Sequence, residues 1–300
     1  MLFSVFNIAL VFVGIITIIS FFLTCVMIVI LWRYRKSTRY KAFFYKTLWN
    51  ECIFNIFTFI FFLATMYARF FDCMIPIFLY LNRFPWWTKF AQITQEHIMY
   101  IQTMNVFLAV GGRFCTVCIP HSRITHTAEE LNKWMICVLQ IFLPTIVEIP
   151  IYIFYNFEYG YTGNLKVPLL LGTTNDHYYE VAFSICVIYL IGAFALCVFG
   201  YISLFYTVRK RANRNETNII IHGGCLLLAL GALSACTIVR GFRILEKSKY
   251  MRIFYFSTSL WIPCTNIAAT ICVIGPIRKH ILAPFKEKAD TTVLPNTTLL

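Results

Sequence analysis

Acidic side chains are scarce in this sequence. Asp and Glu number 13 in 300 residues, against 26 Lys and Arg, and all charged residues together make up 13%. Soluble domains carry about 25%. Hydrophobic residues reach 59%, with 30 Phe among them, more apolar surface than one soluble core of this size hides. The shortage of charge excludes an ordinary soluble globule. It points to an integral membrane protein whose outer faces are solvated by lipid.

Catalytic signatures are also missing. The chain has no HExxH, no GxSxG, no phosphate-binding glycine loop and no paired carboxylates in a loop, so neither an enzyme nor a cofactor is expected. Cys115-Thr-Val-Cys118, with His121 three residues on, is half of a zinc or redox site. No second CxxC exists and the flanks are apolar, so the pair reads as two small residues at a helix end and no metal is expected. His121, His126, His177, His222 and His280 are scattered and read as surface or helix-end residues. Most of the 12 cysteines lie inside apolar segments and only Cys73 falls clearly in a connection, which gives no disulfide framework. Internal repeats and low-complexity tracts are absent.

What the sequence does hold is apolar runs long enough to cross a bilayer, about 20 residues each. Seven are expected, near 8–32, 45–69, 92–117, 133–156, 182–207, 219–240 and 254–276, followed by a short tail, 277–300. The first run is longer than the h-region of a signal peptide and is expected to be a span. The expected fold is an all-α membrane protein, a single bundle of seven transmembrane helices.

The net charge of +13 would suggest nucleic acid in a soluble protein. Here the basic residues sit in short clusters between apolar runs, so the topology rule accounts for them and no nucleic-acid partner is expected. The connection after the first run holds Arg33, Arg35, Lys36, Arg39, Lys41 and Lys46, and the fifth holds Arg209, Lys210, Arg211 and Arg214. This bias places the amino terminus outside and the tail in the cytoplasm. The basic stretch 240–252 runs against it. On this topology the sequons at Asn215 and Asn296 are cytoplasmic and unglycosylated.

The third run is the most polar. At about 100° per residue, Gln92, Gln95, Glu96, Gln102, Thr103 and Arg113 share one arc about 120° wide, with His97 and Asn105 off it. A polar stripe on a spanning helix faces the bundle interior or a water-filled cavity. Glu51, beside Asn50, and Glu148 are further carboxyls within apolar runs. Each is either a functional group or a hydrogen-bonded neutral acid. Trp261-Ile-Pro263 predicts a kink in the seventh run, with Asn266 placed to cap freed carbonyls. Beyond residue 276, Ile277, Ile281 and Leu282 predict a short helix lying over lipid, with Arg278 and Lys279 on headgroups.

Two stretches carry a family likeness: AFFYKTLWNECIFNIF (42–57) and VGGRFCTVCIPHSRITHT (110–127). With seven spans and an arginine closing the third, the chain resembles the nematode serpentine chemoreceptors, in the class gamma and class V group. These are seven-helix G-protein-coupled receptors of the plasma membrane, in sensory cells or their cilia. The likeness implies a small external ligand bound between helices, with Gln92, Gln95, Glu96, Glu148 and Trp261 as candidate contacts. It implies a heterotrimeric G protein on the cytoplasmic side, met by Arg113 and by Arg35, Lys36, Arg209, Lys210 and Arg211. Asn50, Glu51 and Asn266 are the remaining intramembrane polar candidates.

Three departures from receptor patterns stand out. Gly112 takes the place of the Asn that usually precedes the arginine, and no acid precedes Arg113. Residues 80–100 and 157–180 contain no Cys, so the usual staple of the third helix to the second external loop is missing. The seventh run lacks Asn-Pro-x-x-Tyr. A second reading is a seven-span ligand-gated channel or a transporter. Channels of the insect odorant type carry the amino terminus inside, against the charge bias, and no inverted repeat is visible.

Overall fold

The computed structural model describes residues 5–37, 42–154, 156–160, 169–172, 176–211, 214–241, 249–275 and 277–281. The expected sequon at Asn296, the tail beyond 281 and most of the basic stretch 240–252 lie outside them.

Seven long helices run through these residues: α1 (Val5–Arg33), α2 (Phe43–Phe61), α4 (Pro85–Cys118), α6 (Lys133–Phe154), α7 (Asp176–Arg211), α8 (Arg214–Gly241) and α9 (Lys249–Val273). Short helices α3 (Ile75–Tyr80) and α5 (Arg123–Glu130) lie in connections. With all backbone bonds closed inside each segment, helices are the form such apolar runs take in lipid. Long apolar side chains stay exposed on the outer faces: Phe12, Phe22, Phe199 and Leu228 are each more than 60% accessible. That surface fits hydrocarbon, not water.

Polar residues inside the helices are neutralised locally. Thr17, Thr24, Thr58, Thr103 and Thr237 each donate a hydroxyl hydrogen bond to the carbonyl four residues earlier, the usual way for Ser and Thr to enter a spanning helix. α2 continues past Phe61 through a π-helical turn, Phe62–Tyr67, and a 3-10 turn, Ala68–Phe70.

α4 is the central helix and packs against α2, α6, α7, α8 and α9. Every residue from 99 to 106 is buried. The neighbouring helices sheath it from lipid, so its sequence can be more polar than theirs. One end of the bundle is crossed by α5, which meets α6 at 103°. Ser122 caps α5 by accepting a hydrogen bond from the Thr125 amide. The opposite end carries an antiparallel hairpin, β1 (Phe157–Gly160) with β2 (Leu169–Gly172), in the register Phe157↔Gly172 and Tyr159↔Leu170.

Two expectations for the last segments are corrected. Ile277 is 1% exposed and Ile281 packs beside it on the core formed by α1, α2 and α9. Burial against the bundle holds this turn in place of a lipid surface, and Leu282 lies outside the described residues. Asn266 does not cap carbonyls freed by Pro263. Its Oδ1 accepts a hydrogen bond from Thr270 Oγ1 at 3.3 Å, and its amide lies beside Glu51 and His222.

Two polar clusters on the central helix as candidate functional site

Toward the hairpin end, α4 enters with Gln92, Gln95, Glu96 and His97 on successive turns. Gln92 and Gln95 are buried, and Glu96 is half-buried. Gln92 Nε2 donates to Glu96 Oε1 at 2.6 Å, a contact between adjacent turns. Glu148 of α6 is 4% exposed, and its Oε2 meets His97 Nδ1 at 2.5 Å. Tyr100 and Tyr189 pack edge to face with ring centroids 5.2 Å apart. The Tyr100 hydroxyl lies near Cys186, Glu96 and Glu148. Gln92, Glu96 and Glu148 are thus gathered in one place, with His97 joining them. Trp261 is half-buried on α9.

Below this group, two contacts tie α4 to its neighbours. Gln102 Nε2 donates to Asn55 Oδ1 at 2.9 Å and to Thr58 Oγ1 at 3.1 Å on α2. Gln140 Nε2 of α6 donates to Asn105 Oδ1 at 2.7 Å. Interhelical bonds of this kind contribute about 1 kcal/mol each in a membrane.

The second cluster is at the α5 end. Arg113 is 6% exposed, with its guanidinium carbon 4.6 Å from the centroid of the Phe44 ring. Glu51, on α2 and 2% exposed, is the carboxyl that attracts it. Asn266 lies beside Glu51 and completes the link to α9. His222 of α8, 1% exposed, has Nε2 hydrogen bonded to Thr270 Oγ1 at 2.9 Å. Side chains from α2, α4, α8 and α9 therefore converge on one buried arginine. Gly223 stands beside the arginine, where an added Cβ would make ordinary contact, 3.8 Å from an Arg113 nitrogen. At Gly112 an added Cβ would fall 2.6 Å from two atoms of the Phe43 ring. The absence of Asn at position 112 is thus matched by an aromatic ring occupying its space.

Around this cluster α5 is fastened to α2. Lys46 Nζ donates to the carbonyls of Glu129 and Leu131, both at 2.8 Å, and Asn50 Nδ2 donates to the Lys133 carbonyl at 2.7 Å. Asn50 therefore belongs to the α5–α6 junction. Thr125 Oγ1 bonds the carbonyls of Cys115 and Ile119, at 3.1 and 2.8 Å. Arg35, Lys36, Arg209 and Lys210 are exposed. Arg35 folds back on Trp32, donating to its carbonyl at 2.9 Å and lying 3.9 Å over its ring. The Arg211 side chain lies outside the described residues.

At the hairpin end, buried Arg69 donates to the Thr65 carbonyl and stacks on the rings of Phe78 and Tyr159, with centroid distances of 5.8 and 5.2 Å. Burial pushes the Tyr159 phenol above its ordinary pKa, and the Arg69 charge opposes that.

A family model for the serpentine type 7TM GPCR chemoreceptor Srv matches residues 11–222. The chain belongs to that family. No match to a curated protein is found. The nematode chemoreceptor likeness seen in 42–57 and 110–127 is accordingly that of Srv. Membership makes this a multi-pass membrane protein of a receptor family, not of an enzyme family. The matched span contains His97, Glu148, Glu51, Arg113 and His222, while Asn266 and Thr270 lie beyond it.

The helical wheel sets His97 and Asn105 outside the inward arc, yet both contact α6: Asn105 fully buried, His97 half-buried. For Asn105 the reason is that the arc presumes one lipid-facing side, and α4 has none from 99 to 106. His222, read from the sequence as a surface or helix-end residue, is in the core. The available signal is its position inside an apolar segment, beside the small residues Gly223 and Gly224.

Proposed function

We propose that this Srv receptor binds a small external molecule in the hairpin half of the bundle and reports it to a heterotrimeric G protein at the α5 end. In this reading residues 1–300 form one receptor domain. The amino terminus is outside, and residues 277–300 form a cytoplasmic tail. The protein sits in the plasma membrane of a sensory cell or its cilium. The ligand meets Gln92, Gln95, Glu96 and Glu148, with His97 beside them and Trp261 contributed by α9. Arg113 holds the resting bundle closed and contacts the G protein once that packing loosens. Arg35, Lys36, Arg209, Lys210 and Arg211 supply the basic surface around it, which also suits anionic lipid.

The observation that carries this reading is that one sheathed helix joins the two clusters. Glu96 and Arg113 stand on the same α4, roughly 25 Å apart at 1.5 Å per residue. A ligand that prefers one setting of α4 against α6 and α7 changes the setting of Arg113 against α2 and α9. This is a two-state device biased at one end and read at the other.

The test is expression in a cell with a second-messenger reporter and terminal epitope tags. An exposed amino-terminal tag, a hidden carboxyl-terminal tag, and a ligand response lost in Arg113→Ala at equal surface expression are expected. Reversed tags, or a ligand-evoked current that persists without G protein, would replace this reading with a channel.

A further inference from the structure

We propose that the hairpin-half cluster takes a protonated amine, its ammonium held by the Glu148 carboxylate against the rings of Tyr100 and Tyr189. This rests on the reading of that cluster as the ligand site, and adds the chemistry of what binds there.

Glu148 is the starting point. The residue is 4% exposed, one carboxyl oxygen is engaged by His97, and the other has no hydrogen-bond partner among the described residues. A carboxylate accepts up to about four hydrogen bonds, and one left buried without donors is costly. A ligand that brings N–H donors satisfies that oxygen.

Charge selects among donors. The ionisable side chains that act on Glu148 are His97, which attracts, and Glu96, which repels. With both acids ionised, two carboxylates face one imidazole and the site is negative in either form of His97. An anionic ligand meets repulsion from both acids. A cation is drawn in, and its attraction is strong because the surroundings exclude water.

The walls favour a cation as well. Tyr100 is fully buried and Tyr189 packs edge to face with it. Tyr100 stands one turn beyond His97 on the same face of α4, next to the residue that meets Glu148, and Tyr189 packs on it. Aromatic faces attract ammonium groups through the ring quadrupole. Neighbouring Met99, Leu190 and Cys186 supply apolar surface for a carbon skeleton. A carboxylate for the charge and tyrosines for the body form a recognition set for a small alkyl or arylalkyl amine.

The experiment compares head groups on one skeleton. Full-length receptor in lipid nanodiscs is heated while a thiol-reactive dye reports exposure of buried cysteines such as Cys52 and Cys197. The probes are 2-phenylethylammonium, 2-phenylethanol and phenylacetate, and the matching six-carbon ammonium, alcohol and acid. A saturable rise in Tm with an ammonium, and none with its alcohol or acid, is expected. Glu148→Gln should raise the half-saturating concentration at least about tenfold, as loss of a buried charge partner does. Tyr189→Leu should weaken it several-fold and serves if Glu148→Gln does not fold.

Equal stabilisation by alcohol or acid would overturn the amine assignment while leaving a ligand site in place. Stabilisation unchanged in Glu148→Gln would put the cation elsewhere and overturn it too. So would no response to either ammonium. Amine binding without any G-protein response would instead count against the coupling mechanism and leave this assignment standing.

Discussion

Asn82 holds Tyr159 by both of its backbone groups. The Asn82 Nδ2 donates to the Tyr159 carbonyl at 2.7 Å, and Oδ1 accepts from the Tyr159 amide at 2.6 Å. One side chain thus pairs with β1 as a neighbouring strand would, and fastens the α2–α4 connection to the hairpin. Cysteine is absent from 80–100 and 157–180, so no disulfide can join them. The amide pair, with Arg69 stacked on Tyr159 beneath, does that positioning without a covalent bond.

Asn82→Ala removes two hydrogen bonds worth about 1 kcal/mol each. Hydrogen exchange at residues 157–160 should speed up by roughly tenfold to thirtyfold, while amides in the middle of α4 keep their protection. Exchange at the hairpin unchanged from wild type would show that Arg69 and Phe78 hold it alone.

The two adjacent glycines of α4 should respond in opposite directions. Nothing lies within 4 Å of a Cβ placed at Gly111, whereas one at Gly112 meets the Phe43 ring at 2.6 Å. Gly111→Ala should be neutral or stabilising by up to about 1 kcal/mol through helix propensity. Gly112→Ala should cost about 1–3 kcal/mol, because the ring is a wall of the core. Thermal unfolding of the two variants under identical conditions decides this. A matching Tm would contradict the packing.

Glu51 is the carboxyl that attracts Arg113. Glu51→Gln keeps the side chain's shape and removes its charge, leaving a buried arginine less compensated. Loss of that attraction should cost about 1 kcal/mol, the scale of one polar contact between helices in a membrane. The resting packing should be weakened, raising basal second-messenger output at matched surface expression and lowering Tm. Basal output equal to wild type would separate Glu51 from any resting-state restraint.

Lys46 closes the carbonyl end of α5. Lys46→Met should fray that end, seen as faster exchange at residues 127–132, and should weaken ligand-evoked signalling without changing ligand affinity measured by Tm shift. A loss of affinity with signalling efficiency intact would reverse the assigned order of the two ends.

How much of this was legible in the sequence depends on the distance between cause and effect. Gln92, Glu96 and Arg113 share a helix, so a rotation angle was enough to place them on one side. Pairings across helices had no such handle. The His97–Glu148 contact joins residues 51 apart, and His222 reaches Thr270 across 48. The wheel excludes Asn105 because it assumes a lipid face, and α4 is enclosed from 99 to 106; His97 lies before that stretch and is engaged by Glu148 from α6. The β-hairpin went unread for another reason. FEYG and LLLG are too short for an alternation of two to stand out, and their docking depends on Asn82.

By itself the sequence determined the helical membrane class, the polar character of the third helix and the arginine that closes it. These follow from hydropathy and charge along the chain, which act locally and survive without knowledge of neighbours. The tertiary structure decided the partners: Asn55 for Gln102, Glu148 for His97, Asn82 for Tyr159. In a bundle the cost of an unsatisfied buried group is settled by whichever side chain the packing brings within about 3 Å. That distance is fixed only when α2, α4, α6, α8 and α9 have found their places around one another.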